Sequence, residues 1–221
     1  FPPRETAGTE RHTEALASEL IARGHTVNII AATRSPGRSQ YDRIDEPGVV
    51  RIVNNIAARA LSDGESDTII DGIMRKEEQR IRPDIVHVHH IQFLSSTMKF
   101  EAPTIVTLHD QWAWCPSGGL GLRRDTVCPG PEAHECVQCH ATWRPAPSTT
   151  ARLLTKAAGM LTPLIAPERL HTLYKTIPAP LRPTPVRGQE KTEPETAAQY
   201  RNQKTLSWYK SADALISPSN H

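Results

Sequence analysis

The stretch PTIVTLHDQWAWCP, Pro103–Pro116, decides how this chain is read. Ile105, Val106 and Leu108 form a short apolar run rich in β-branched residues, and it ends in the polar pair His109 and Asp110. An apolar run of that length, bounded by polar residues, predicts a strand buried in a sheet. The upstream segment DIVHVHH has the same layout, with Ile85, Val86 and Val88 running into His89 and His90. Two strands that each end in histidine put the polar chemistry of the chain at one end of a sheet.

Helical patterns separate the strands. ERHTEALASELIARG, from Glu10 to Gly24, places Ala15, Leu16, Leu20 and Ile21 on one face, with Thr9 as N-cap and Gly24 as stop. TVNIIAA and GVVRIVN read as strands, and DTIIDGIMRKEEQRIRPD as a helix that Pro83 ends. NQKTLSWYKSAD is a further helix and ALISPS a last strand. Helices alternating with apolar strands predict an α/β, Rossmann-like parallel sheet with helices on both faces. Ligands of such sheets bind beyond the carboxyl ends of the strands, here at His89, His90, His109, Asp110 and the turn after ISPS. The chain reads as a single domain over 1–221, with a Cys-rich loop at 115–140. A Pro-rich, partly helical excursion follows at 141–196, with TTARLLTKAAGML as its clear helix.

Composition narrows the function. Lys plus Arg is 26 and Asp plus Glu is 24 in 221 residues, a net charge of +2, so no concentrated basic face marks a nucleic-acid binder. No apolar run approaches the ~20 residues of a membrane span, so the expectation is a soluble protein, at most peripheral at the inner membrane surface. The opening FPPRETAGTE has neither an initiator Met nor a signal-peptide layout, which predicts a cytoplasmic protein. There, cysteines serve as metal ligands or thiols more often than as disulfides.

Three groups of residues carry chemistry. In TAGTERHTEAL a small-residue turn at Ala7, Gly8 and Thr9 feeds a helix, whose unpaired N–H groups form a phosphate cradle; the alternative is a plain helix start. Gly8 is the lone glycine of that turn, so it is no dinucleotide fingerprint. The second group is His87, His89 and His90 on one strand with His109 and Asp110 on the next. Pattern alone leaves two readings open: a metallohydrolase centre built on His87, His89, His109 and Asp110, or imidazoles that bond backbone and ligand hydroxyls. The third is Cys115, Cys128, Cys136 and Cys139, of which the last two form a C-x-x-C. Four cysteines in one turn-rich span favour a structural zinc over redox thiols, with His134 and His140 as substitute ligands and an iron–sulfur cluster as the other occupant.

Taken together, FPPRETAGTERHTEALASELIARGHTVNIIA, RPDIVHVHHIQFLS, PTIVTLHDQWAWCP and SADALISPS resemble the N-terminal, acceptor-side domain of family 4 retaining glycosyltransferases, which have the two-domain GT-B fold. The order matches along nearly the whole chain, and a cysteine-containing subset of the family also ends its insert in C-x-x-C. The resemblance implies a hexosyltransferase-type enzyme that moves a sugar from a UDP- or GDP-sugar to a glycan or glycolipid acceptor, as in polysaccharide biosynthesis. It implies that Ala7, Gly8 and Thr9 approach the donor diphosphate, that His109 contacts the donor sugar at the reacting centre, that Asp110 flanks it, and that His89 lines the acceptor side. Transfer in the family is front-face, with the leaving diphosphate assisting deprotonation, which would make His109 a positioning group. Ala7 stands where the family has the first Gly of a Gly-Gly turn, so a methyl group narrows the approach to phosphate. Against the family pattern the first strand and the C-terminal donor-binding domain are missing, so the expectation is a fragment or half of a split enzyme, inactive alone. Two other functions fit parts of the sequence: the metal-dependent hydrolase above, or a non-enzymatic zinc-stabilised interaction module.

Overall fold

A computed structural model describes residues 1–2, 7–35, 37–55, 61–115, 128, 130, 136–137, 139 and 193–217. The chain divides into two compact units, one of Phe1–Asn28, Ala60–Trp143 and Glu190–His221, the other of Ile29–Arg59 and Arg144–Gln189. The Pro-rich excursion and its TTARLLTKAAGML helix lie outside the described residues, apart from the last few positions before 197.

The first unit holds helix α1 (Gly8–Ala22), a 3-10 turn at Leu61–Asp63, helix α2 (Thr68–Ile81), strands β4 (Val86–Val88) and β5 (Thr104–Thr107), helix α3 (Pro194–Lys210) and strand β6 (Ala214–Ile216). The three strands form a parallel sheet in the order β4-β5-β6, with Val88 opposite Val106 and Val106 opposite Leu215. This is the α/β, Rossmann-like arrangement the apolar runs predict. Val106 is fully buried and Val88 nearly so, while Leu215 and Ile216 of β6 are exposed.

Local chemistry sets the helix ends. Asp67 caps α2, its carboxylate accepting from the N–H groups of Ile69 and Ile70, and Arg82 ends it in the left-handed region just before Pro83. Helix α1 differs from its expected bounds. It begins at Gly8, with Ala7 in the cap position and no side-chain cap, so Thr9 is not the N-cap. Thr9 lies inside the first turn instead, where its carbonyl accepts from the Thr13 hydroxyl. The face also differs: Ala17 is the buried residue of α1, and Ile21 is 56% exposed. Periodicity finds a stripe, but neighbouring elements decide which part of it is covered.

Helix α3 docks on the 3-10 turn, where Ala197 and Ala198 bury against Leu61, with Cys136 and Val137 packed on the same cluster. Gly64, at φ +61°, is in a conformation that strains a side-chain-bearing residue, and a Cβ there would stand 2.8 Å from the Tyr200 ring, which would have to shift. The Thr205 hydroxyl bonds the Ala113 carbonyl, tying α3 to the loop after β5.

The second unit holds β1 (Ile29–Thr33), β2 (Arg43–Glu46) and β3 (Val49–Val53), in the order β1-β3-β2. β1 and β3 pair in parallel, as expected of a doubly wound fold, but β2 runs antiparallel to β3 across the turn at Pro47–Gly48, where Gly48 has φ +75°. Strand β2, RIDE, has alternating exposure and no apolar run, so nothing in its sequence marked it as a strand. Arg51 of β3 is fully buried and pairs with Glu46 at 2.6 Å. None of the described helices is long and apolar enough to cross a membrane.

Candidate functional site

The site forms in the first unit, at the carboxyl ends of β4 and β5. Both strands stop at a valine or threonine, and the next residues, His89–His90 and Leu108–Asp110, leave the sheet together. The Leu108 N–H still donates to Ile216, so His109 is the first residue of β5's extension released from pairing on that side.

His89 Nδ1 and His109 Nε2 are 2.9 Å apart, a hydrogen bond in which one ring donates and the other accepts. The His87 ring lies 4.2 Å from that of His89, as alternation along a strand requires, and its Nε2 bonds the Thr107 hydroxyl at 2.8 Å. His12, exposed on α1, completes the group, its ring 5.0 Å from His109 and 5.7 Å from His89. It sits one helical turn beyond Gly8, so the uncapped start of α1 and the histidine cluster belong to one unit. Sequence reading passed over His12. The signal was its position one turn into the helix after the small-residue turn, since helical side chains lean toward the N-terminus.

Asp110 serves a different histidine. One carboxylate oxygen accepts from His90 Nε2 at 2.9 Å and the other from the Trp112 N–H at 2.8 Å. The Gln92 N–H donates to His90 Nδ1, which assigns the proton of a neutral His90 to Nε2, facing Asp110. Asp110 therefore fixes the turn after β5 and the orientation of His90.

Electrostatics favour neutral rings. Burial, together with the neighbouring His87, His109 and His12, pushes the pKa of His89 down to about 3. Burial also lowers those of His87 and His109, with His12 the next contributor to each. Burial raises the Asp110 carboxyl, but the bonds from His90 and Trp112 outweigh it and the net shift is downward. Neutral imidazoles carry one donor and one acceptor each, which suits hydroxyls and metal ions, and they supply no charge to neutralise a diphosphate.

Among the described residues, His12, His89 and His109 form the one group of three metal-ligating side chains whose donor atoms lie within 4.8 Å of one another. The quartet His87, His89, His109 and Asp110 is not that group: His87 turns to Thr107 and Asp110 to His90. Cys115 is buried and Cys128, Cys136 and Cys139 half-buried, none of them in a disulfide and none in a metal-ligating group of this kind; most of the loop between them, with His134 and His140, lies outside the described residues.

The family model for Glycosyltransferase Family 4 matches residues 6–221, which takes in α1, both histidine-ended strands and the cysteine loop. No curated protein and no solved structure matches the chain.

Proposed function

Because the chain belongs to glycosyltransferase family 4, we propose that it supplies the acceptor-side half of a retaining hexosyltransferase that uses a UDP- or GDP-sugar to extend a glycan or glycolipid. The observation that carries the reading is the meeting of His89 and His109 beyond β4 and β5, in the same unit as the uncapped start of α1. In this reading the amides at Ala7, Gly8 and Thr9 face the donor diphosphate, since free N–H groups at the positive end of a helix favour anions. His109, neutral and bonded to His89, accepts or donates a hydrogen bond to a donor-sugar hydroxyl and holds the anomeric carbon toward the acceptor. His89 sets the ring of His109 and lines the acceptor side, and Asp110 acts at one remove through the Trp112 turn. The chemistry asked of these residues is orientation, worth orders of magnitude in rate without a protein base.

The test is transfer by the full-length gene product with a panel of nucleotide-sugars, reading the anomeric configuration of the product by NMR. His109→Ala is expected to lower kcat/KM by ~100-fold, mostly in kcat, while exposed His25→Ala changes nothing. Inversion at the anomeric carbon, or undiminished turnover by the His109 variant, would sink the proposal.

We also infer a structural zinc on Cys115, Cys128, Cys136 and Cys139. Its support is the C-x-x-C spacing and the four thiols' not being in disulfides. The ion would gather these thiols and pin the loop to the Leu61–Ala197–Ala198 cluster on which Cys136 packs. Cys136→Ser should release about one zinc per chain and lower the Tm, and unchanged zinc content would count against it.

A further inference from the structure

We propose that His12, His89 and His109 form a second, separate binding site for a zinc-class divalent ion, with three imidazole ligands and an open fourth position. Three observations carry it. The donor nitrogens of the three rings already lie within 4.8 Å of one another. Two of them, His89 Nδ1 and His109 Nε2, point at each other at 2.9 Å, so one shared proton now occupies the place between them. The third, His12, is exposed on α1, with its ring 5.0 Å from that of His109.

In a tetrahedral zinc site with bonds of about 2.0–2.1 Å the ligand nitrogens stand ~3.3 Å apart. The pair at 2.9 Å needs to open by a few tenths of an ångström, and His12 needs to close by rotation about its own side chain. The backbones of β4 and β5, held by pairing of Val88 with Val106, need not move. The ion takes the place of the shared proton, which moves to the other nitrogen of the ring that carried it, so both rings ligate as neutral imidazoles and the ion gains His12 as third ligand.

The donor set also selects the ion. Three imidazoles with no carboxylate among them suit zinc, cobalt, nickel or copper and not magnesium or calcium, which demand oxygen ligands. Three protein ligands leave one position open to water or to a hydroxyl of a bound molecule, as in zinc centres that meet a ligand directly. The Asp110–His90 pair lies outside the group and stays bonded as it is. The site shares His89 and His109 with the transferase reading, but its test is separate, because occupancy is measured as bound metal and not as transfer.

The experiment is Co2+ titration of the intact chain, followed by visible absorption, with Zn2+ and Mg2+ as competitors. Binding with d–d bands of a low-coordinate nitrogen site, displaced by Zn2+ and not by Mg2+, is expected. His12→Ala and His89→Ala should each weaken it by at least ~10-fold, while His25→Ala leaves it unchanged. Since His12 is exposed, its variant should keep the parent Tm, so a loss of metal there is a loss of ligand. Equal affinity in His12→Ala would overturn the site. So would a single bound Co2+ showing thiolate charge-transfer absorption that Cys136→Ser removes and His12→Ala does not.

Discussion

Glu65→Ala is expected to destabilise the protein by about 3–5 kcal/mol. Arg201 of α3 is fully buried, and the carboxylate of Glu65 faces it at 3.4 Å, itself only 13% exposed. That separation is long for a hydrogen bond, so the pairing is chiefly one of charge. Burial lowers the pKa of Arg201 and the Glu65 charge opposes that shift, yet a guanidinium stays protonated in any folded protein. Removing Glu65 leaves a cation in the interior with one of its nitrogens, Nη2, already without a hydrogen-bond partner among the described residues. The Trp112 ring, 4.7 Å from the guanidinium carbon, contributes a cation–π contact that cannot stand in for a carboxylate. Ala keeps a Cβ at the same φ of +63°, so backbone strain cancels in the comparison.

Urea unfolding of three variants checks this. Glu65→Gln should lose nearly as much as Glu65→Ala, because charge and not volume is at stake. Arg201→Met on the Glu65→Ala background should recover much of the loss, since a buried pair is costly to break and cheap to replace. A Glu65→Ala variant as stable as its parent would mean water reaches Arg201. The consequence extends to the site: Arg201 lies against the ring of Trp112, whose backbone N–H donates to Asp110, so freeing Arg201 loosens the turn that orients His90.

The second large effect is at Trp208. Its side chain is 8% exposed, and its indole N–H donates to the Met98 carbonyl at 2.8 Å, with Tyr209 edge-on at 5.2 Å. Trp208→Ala should cost about 3–5 kcal/mol through the cavity it leaves. Trp208→Phe keeps most of the apolar area and drops only the bond, leaving a buried carbonyl unpaired, for about 1–3 kcal/mol. The order Ala below Phe below parent, read as denaturation midpoints with an unchanged m-value, is the expected result. Equal losses in the two variants would assign the whole effect to the hydrogen bond. Trp208 matters beyond its own area because α3 hands the chain to β6 three residues later, where Asp213 accepts from the Thr104 N–H and starts the β5–β6 register.

Both effects lie in contacts that sequence could not announce. Arg201 and Glu65 are 136 positions apart, and Trp208 and Met98 are 110 apart. An arginine on a helix otherwise reads as a solvated charge, and only the packing of α3 over the loop after β5 makes it interior. The same holds for Arg51, an arginine in the strand GVVRIVN that proves fully buried against Glu46. Strand β2 escaped notice because pairing with β3, and no apolar burial of its own, keeps RIDE extended.

What the sequence by itself determined was the set of elements whose signals are local. Apolar β-branched runs specify β4 and β5, Asp67 and Pro83 bound α2, and the polar residues that end each run fall together beyond the carboxyl ends of those strands. These survive because each depends on neighbours within a few positions, where hydrogen bonding and side-chain alternation act. The tertiary structure alone decided which histidines meet. His87, adjacent in sequence to the cluster, bonds Thr107, and Asp110, adjacent to His109, bonds His90, while His12 arrives from the first helix. Whether a ring nitrogen faces another ring or a hydroxyl depends on distances of a few ångströms between elements, and the sequence of either element leaves those distances open.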